Sequence, residues 1–238
     1  MSILFNLISD AITSRFKGYK SLNRITQRSN QKPAFAFNAN DTNLNRVLNV
    51  GGNSKLIELP DFYQNWDHIL LDIDPKGKPD IVCDARELTS LPPLQFDAIY
   101  CSHNLEHYYK HDVAKVLAGF LHVLKSDGFV HIRVPDIGEL MRIVVQRNMD
   151  IDAFLYESPA GPITVHDVIY GYGVEVERSG NDFYAHKTGF TQRSLNSTLN
   201  KYGFPHVYSN CGNLEIQAFA FINKPNEFTS RLLNLPDS

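Results

Sequence analysis

Residues 46–84, RVLNVGGNSKLIELPDFYQNWDHILLDIDPKGKPDIVCD, hold three short apolar runs, and each stops at residues suited to meeting a ligand. Val47–Val50 ends at Gly51-Gly52-Asn53. His68–Ile73 carries Asp72 at its end with Asp74 two residues on, and Asp80–Cys83 is followed by Asp84. Short apolar runs bounded by Gly, Pro and Asp predict strands. Open parallel sheets bind ligands beyond the carboxyl ends of their strands, where the strand order reverses. At those ends, glycines let the backbone approach a ligand closely. A carboxylate at Asp72 is placed to accept both hydroxyls of a ribose, and with Asp84 it forms an acidic ledge suited to a nucleoside.

The pattern continues downstream. Phe96–Ser102 reads as a fourth strand, leading into Ser102-His103-Asn104. Val113–Leu124 has helical periodicity and ends in Lys125-Ser126-Asp127-Gly128, a turn whose glycine suits positive φ. Phe129–Val134 is a fifth strand stopped by Pro135, and Ile137–Gln146 a helix. Thr191–Tyr202 is a helix closed by Gly203; Pro205–Ser209 and Leu214–Asn223 form an edge hairpin. Such alternation gives an α/β fold, a parallel sheet with helices on both faces. Residues 150–190, rich in Gly, Pro, Tyr and His, break the alternation as an irregular insertion on the substrate side.

Upstream, residues 1–45 stand apart from the main domain at 46–238. Ile3, Leu4, Leu7, Ile8, Ala11 and Ile12 recur at helical spacing, so a helix packed on the domain or on a partner subunit is one reading, and weak contact of residues 3–12 with a membrane surface or a transit peptide are others. Arg15, Lys17, Lys20, Arg24, Arg28 and Lys32 form a basic tether, and Asn38–Asn45 a polar linker. Asn6, Ser9 and Asp10 interrupt the first apolar stretch, so neither a signal peptide nor a membrane span is expected. With 238 residues, 43% hydrophobic and 21% charged, the chain has the composition of a globular protein. The net charge of −3 argues against nucleic-acid binding by bulk electrostatics. Cys83, Cys101 and Cys211 show no CxxC spacing and read as reduced thiols of a cytoplasmic protein.

LNVGGN, LDID, DIVCDARELTSLP, FDAIYCSHNLEHY and VLKSDGFVHIRVPD, in that order, resemble the successive motifs of class I S-adenosylmethionine-dependent methyltransferases. Ser102–His107 and His186–Thr191 match the patterns SHxLEH and HKxGFT of a bacterial group of small predicted methyltransferases. The resemblance runs from about Arg46 to Asn223. It implies a Rossmann-like, doubly wound sheet of seven strands in the order 3-2-1-4-5-7-6, with the seventh antiparallel. Carried onto this sequence, it has Val50, Gly51, Gly52 and Asn53 around the methionine part of the cofactor, Asp72 and Ile73 at the ribose, and Asp84 and Ala85 at the adenine. Ser102 and His103 would form the floor under the sulfonium. The glycine loop lacks one glycine of the usual GxGxG, and the stretch from Asn53 to His68, with Pro60, leaves little room for a first helix. The same departures disfavour a dinucleotide-binding dehydrogenase, which needs a helix N-terminus for pyrophosphate.

The acceptor is expected to be a small molecule or a glycan, methylated at O or N by in-line displacement, with His103 as first candidate for the base and His107 and His186 next. His103–His107 also spells HxxEH, but it follows directly on a strand rather than lying on a helix as an inverted zincin requires. No metal is assigned, although a divalent ion at Glu106 and His107 stands as a lesser alternative. Two rival readings are an RNA methyltransferase that uses residues 15–32 as an arm, and a non-catalytic nucleoside-binding or scaffold protein.

Overall fold

The computed structural model describes residues 44–158 and 161–236; the apolar stripe at 3–12, the basic run at 15–32 and most of the linker lie outside them. Strands β1 (Arg46–Val50), β2 (Asp67–Asp72), β3 (Ile81–Val82), β4 (Phe96–Ser102), β5 (Leu124–Pro135), β8 (His206–Gly212) and β9 (Glu215–Phe221) form one sheet, ordered β3-β2-β1-β4-β5-β9-β8. β1 to β5 pair in parallel, and β9 runs antiparallel to both of its neighbours. β6 (Phe154–Ser158) and β7 (Gly161–Thr164) pair apart from it as a hairpin. Counting only the strands of the main sheet, the order is the expected 3-2-1-4-5-7-6. Strand order reverses between β1 and β4, which places the ends of those two strands at the ligand crevice.

Successive side chains of a strand point to opposite faces, so a strand buried on both sides is apolar at nearly every position. Leu48, Val50, Ile99, Cys101, Val130 and Ile132 join one core, while Val47, Ala98, Tyr100 and Phe129 join another across the sheet. Helix α1 (Lys110–Val123) covers the first face with Val113, Val116, Leu117, Phe120 and Val123, an apolar stripe at helical spacing. Helix α5 (Gln192–Lys201) adds Leu195 and Leu199. Thr191 caps α5 in a reciprocal box with Ser194, and Gly203 follows it at φ +103°.

The second face departs from the expected helical cover. Leu59, Phe62, Tyr63 and Trp66, from the connection between β1 and β2, lie over Tyr100, Phe129 and Phe219. Tyr63 is 2% exposed, and its ring stacks at 6.3 Å on Phe129. Each buried aromatic ring removes roughly 150–250 Å² from water, so a few rings do the work of a helix that Pro60 and the short span forbid. Leu232, Leu233 and Leu235, around the short C-terminal helix Glu227–Leu232, complete this layer.

Two further expectations need correction. Lys125–Gly128 is not a turn: it belongs to β5, bulging between the pairings Phe96 with Leu124 and Ala98 with Phe129. Gly128 does not adopt positive φ, and its missing side chain matters because a Cβ there would sit 2.7 Å from the Asp97 carbonyl. Nor are the described residues of 150–190 irregular. They contain the β6–β7 hairpin, α3 (Val165–Tyr170) and α4 (Gly173–Ser179), and Ile163, Val165 and Val168 pack on Leu140 of α2 (Ile137–Gln146) in a third core. Among the described residues, no helix is long and apolar enough to cross a membrane.

Candidate active site

At the end of β1, Gly51 takes φ +72° and donates its amide to the Leu71 carbonyl at 2.8 Å. A Cβ on Gly51 would meet Asn104 Nδ2 at 2.1 Å, and one on Gly52 would meet Asn49 Nδ2 at 2.1 Å. The glycines are therefore required by the protein's own asparagines as well as by any ligand. Asn53, also left-handed at φ +59°, donates its amide to Asp72 Oδ2 at 2.9 Å, and the Asp74 amide donates to Oδ1 at 2.9 Å. Each carboxylate oxygen keeps one lone pair for a ligand. Burial pushes the Asp72 carboxyl up, against the pull of these two amides and that of Ile73.

Asp84, after β3, accepts the Arg86 amide at 2.9 Å, and its carboxylate is clasped by the Arg86 guanidinium at 2.5–3.1 Å. The guanidinium also reaches Asp112 Oδ2 at 3.3 Å. Burial works to raise Asp84, but the Arg86 contacts outweigh it and hold the carboxyl below its usual range. Val50, Gly51, Asn53, Asp72, Ile73, Asp84 and His103 all line one cavity of about 260 Å³. Of the remaining cofactor candidates, Gly52 and Ser102 face a second cavity instead. Ala85 lines neither; at 1% exposure its side chain is core.

The second cavity, about 330 Å³, shares Gly51, Asn53, His103, His107 and Tyr184 with the first. Ile57, Leu59, Ile163, Val168, Tyr156 and Tyr172 give it largely apolar and aromatic walls, most of them from the insertion. At the junction, His103 takes φ +47° and sets its ring between two carboxylates. Its Nε2 lies 2.8 Å from Glu215 Oε1, and its Nδ1 3.4 Å from Glu106 Oε1. Arg133 donates to the other Glu215 oxygen at 2.5 and 2.9 Å. Burial alone would lower the His103 pKa, but Glu106 and Glu215 overcome it and push it up to about 9.

His107 and His186 stand beside this pair, with ring centroids 5.0 Å apart. They meet because the amides of Lys187 and Thr188 donate to the Glu106 carbonyl at 2.8 and 3.1 Å, docking the HKTGFT segment on the SHNLEH turn. His186 donates from Nδ1 to the Val168 carbonyl at 3.0 Å, and burial lowers its pKa despite the nearby Glu106. All three expected histidines are thus brought to one place. Arg86 and Glu215 were not anticipated. Arg86 had a signal, two residues past Asp84; Glu215 had none, because it lies 112 residues from His103.

Residues 59–132, less than a third of the chain, match a family model described as a methyltransferase domain. No curated protein matches the sequence. Among solved structures, the chain is similar to an S-adenosylmethionine-dependent methyltransferase of Archaeoglobus fulgidus at 17% identity, over 75% of this chain and 86% of that one, with a TM-score of 0.47. It is also similar to the 1,6-didemethyltoxoflavin-N1-methyltransferase of Burkholderia thailandensis, which was solved with 1,6-didemethyltoxoflavin and S-adenosylhomocysteine bound. That likeness has 16% identity, covers 74% and 71% of the two chains, and has a TM-score of 0.44. A third is the PH0226 protein of Pyrococcus horikoshii OT3, at 16% identity over 75% and 83%, TM-score 0.47. The family match runs from before β2 into β5 and so takes in Asp72, Asp84 and His103 on the sheet order described above; over that stretch the chain is similar to a methyltransferase domain.

Proposed function

We propose that the chain methylates the oxygen or nitrogen of a small molecule whose apolar or aromatic body lies in the larger cavity. The observation that carries this reading is the meeting of the two cavities at Gly51, Asn53, His103, His107 and Tyr184. The smaller cavity fits S-adenosylmethionine, because Asp72 offers one unused lone pair per oxygen, the acceptor pattern that the two ribose hydroxyls need. In this reading Val50, Gly51 and Asn53 hold the methionine part, Ile73 flanks the ribose, and Asp84 meets the adenine edge, with Ala85 restricted to its main chain. When bound, the cofactor supplies a methyl group already activated on a sulfonium.

The chain's own part is then mainly to position the acceptor, which can be worth about 7–11 kcal/mol when reacting groups are held in line. His103, bonded at Nε2 to Glu215 and facing the Glu106 carboxylate with Nδ1, serves as an orienting donor rather than a free base. His186 instead keeps Nε2 as a lone pair, since its single ring hydrogen goes to Val168, so the acceptor's proton leaves on that side. Largely apolar walls favour a small molecule over a glycan, whose many hydroxyls would lose hydrogen bonds there. The basic segment on which an RNA-methyltransferase reading rests lies outside the described residues. Free Cys83, Cys101 and Cys211 fit work in the reducing cytoplasm.

Incubation with methyl-labelled S-adenosylmethionine and three acceptor pools tests the proposal. Label is expected in a pool of small phenols, alcohols and amines. Label confined to oligosaccharides or to RNA would contradict it.

A further inference from the structure

Glu106 lies behind His103 and His107 with its side chain 1% exposed, and neither carboxylate oxygen has a hydrogen-bond partner. Among the described residues, its one close ionic neighbour is His103 Nδ1 at 3.4 Å, too poorly directed to count as a hydrogen bond. His103 offsets part of that charge, but a buried carboxylate with no directed donor still costs free energy that a bound cation would recover. Two imidazoles face the same point. One donor atom each from Glu106, His107 and His186 lie within 4.8 Å of one another.

Both rings carry the orientation that metal-binding histidines need. His186 gives its Nδ1 hydrogen to the Val168 carbonyl, which fixes the tautomer that leaves the Nε2 lone pair unused. His107 has Nδ1 3.1 Å from the Ala185 carbonyl and Nε2 3.1 Å from the His103 carbonyl. A neutral ring can donate to only one of them, and its other lone pair then faces an oxygen. A cation inserted there relieves that contact and the orphaned carboxylate together.

We propose that Glu106, His107 and His186 form a binding site for one divalent first-row transition ion, of the zinc class, beside the junction of the two cavities. Two imidazoles and one carboxylate suit such ions; magnesium and calcium prefer an all-oxygen set. The proposal deepens the reading above, because His107 lines both cavities and His186 the larger one. With its Nε2 on the ion, His186 is a ligand and no longer the proton acceptor; an acceptor hydroxyl that joins the ion becomes a stronger acid, its O–H bond breaks, the electron pair stays on oxygen and the proton passes to water. That assigns oxygen as the acceptor atom.

Calorimetry on the full chain, stripped with a chelator and desalted, tests the site with zinc and magnesium chlorides as probes. One zinc per chain is expected, with magnesium at least 100-fold weaker. Glu106→Gln and His186→Asn should each weaken zinc at least 30-fold, while the S-adenosylhomocysteine affinity measured on the same samples stays within threefold and so reports that they fold. Cobalt(II) added to the wild-type chain should give the visible absorption of a nitrogen-ligated ion, a readout that depends on no variant. Absence of zinc binding and of the cobalt spectrum, or equal zinc affinity in folded variants, would overturn the proposal. Loss of S-adenosylhomocysteine binding with zinc binding intact would instead overturn the reading of the smaller cavity.

Discussion

Replacing Asp72 with alanine is expected to weaken S-adenosylhomocysteine binding by at least 100-fold. The ribose hydroxyls would lose two hydrogen bonds to a charged acceptor, each worth about 1.5–3 kcal/mol, and 1.4 kcal/mol is a factor of ten. The loop would also lose its tie, because the amides of Asn53 and Asp74 both donate to this carboxylate. Asp72→Asn keeps the shape and one acceptor oxygen, so it should cost less. The pH dependence follows from the direction of the Asp72 shift. Burial raises the carboxyl above its ordinary value, and only the ionised form accepts from both hydroxyls. Affinity should therefore be level near neutrality and fall as pH drops through the raised pKa, starting at a higher pH than an exposed aspartate would set. Asp72→Asn should remove that fall. Titration calorimetry across pH reads both effects, and an alanine variant that binds like wild type would refute the role.

Glu215→Ala should destabilise the fold by about 3–5 kcal/mol, the range for removing one partner of a buried ion pair. The loss would strand the Arg133 guanidinium, whose side chain is 12% exposed, at the edge where β5 pairs with β9. The second oxygen of Glu215 also loses His103, but that side chain is 36% exposed, so water replaces much of the contact and it adds little. Urea unfolding measures the change. Adding Arg133→Met should recover part of it, since the stranded charge is then gone. A single-variant loss under about 1 kcal/mol would contradict the pairing as a structural tie.

The parts of this site that were legible in the sequence are those written locally. Strand ends are marked by Gly51, Asp72 and Asp84 because a chain leaving a buried sheet must turn, and the turn residues there double as ligand groups. Helix α2 occupies Ile137–Gln146 as its periodicity predicts, and Asp136 caps it with bonds to the amides of Gly138 and Glu139. The rest needed partners far away in the chain. Leu59 to Trp66 looks like a polar-interrupted linker until it is set against Tyr100 and Phe129 across the sheet. The bulge at Lys125–Gly128 carries the residue types of a turn, and only its register with β4 shows it to be strand. The insertion hid its order because its elements are short and its core is completed by Leu140 of α2. His103 reads as a lone base from its neighbours in sequence; Glu215 and Arg133 change that reading, and both come from other strands.

The central claim is that S-adenosylmethionine occupies the smaller cavity and the acceptor the larger, and a crystal structure of the full chain with S-adenosylhomocysteine tests it most directly. The account predicts the ribose hydroxyls on Asp72, the adenine beside Asp84 and Arg86, and the sulfur at the junction near Gly51 and His103. Nucleoside density in the cavity lined by Tyr156, Ile163 and Val168, or a ribose with no contact to Asp72, would contradict it.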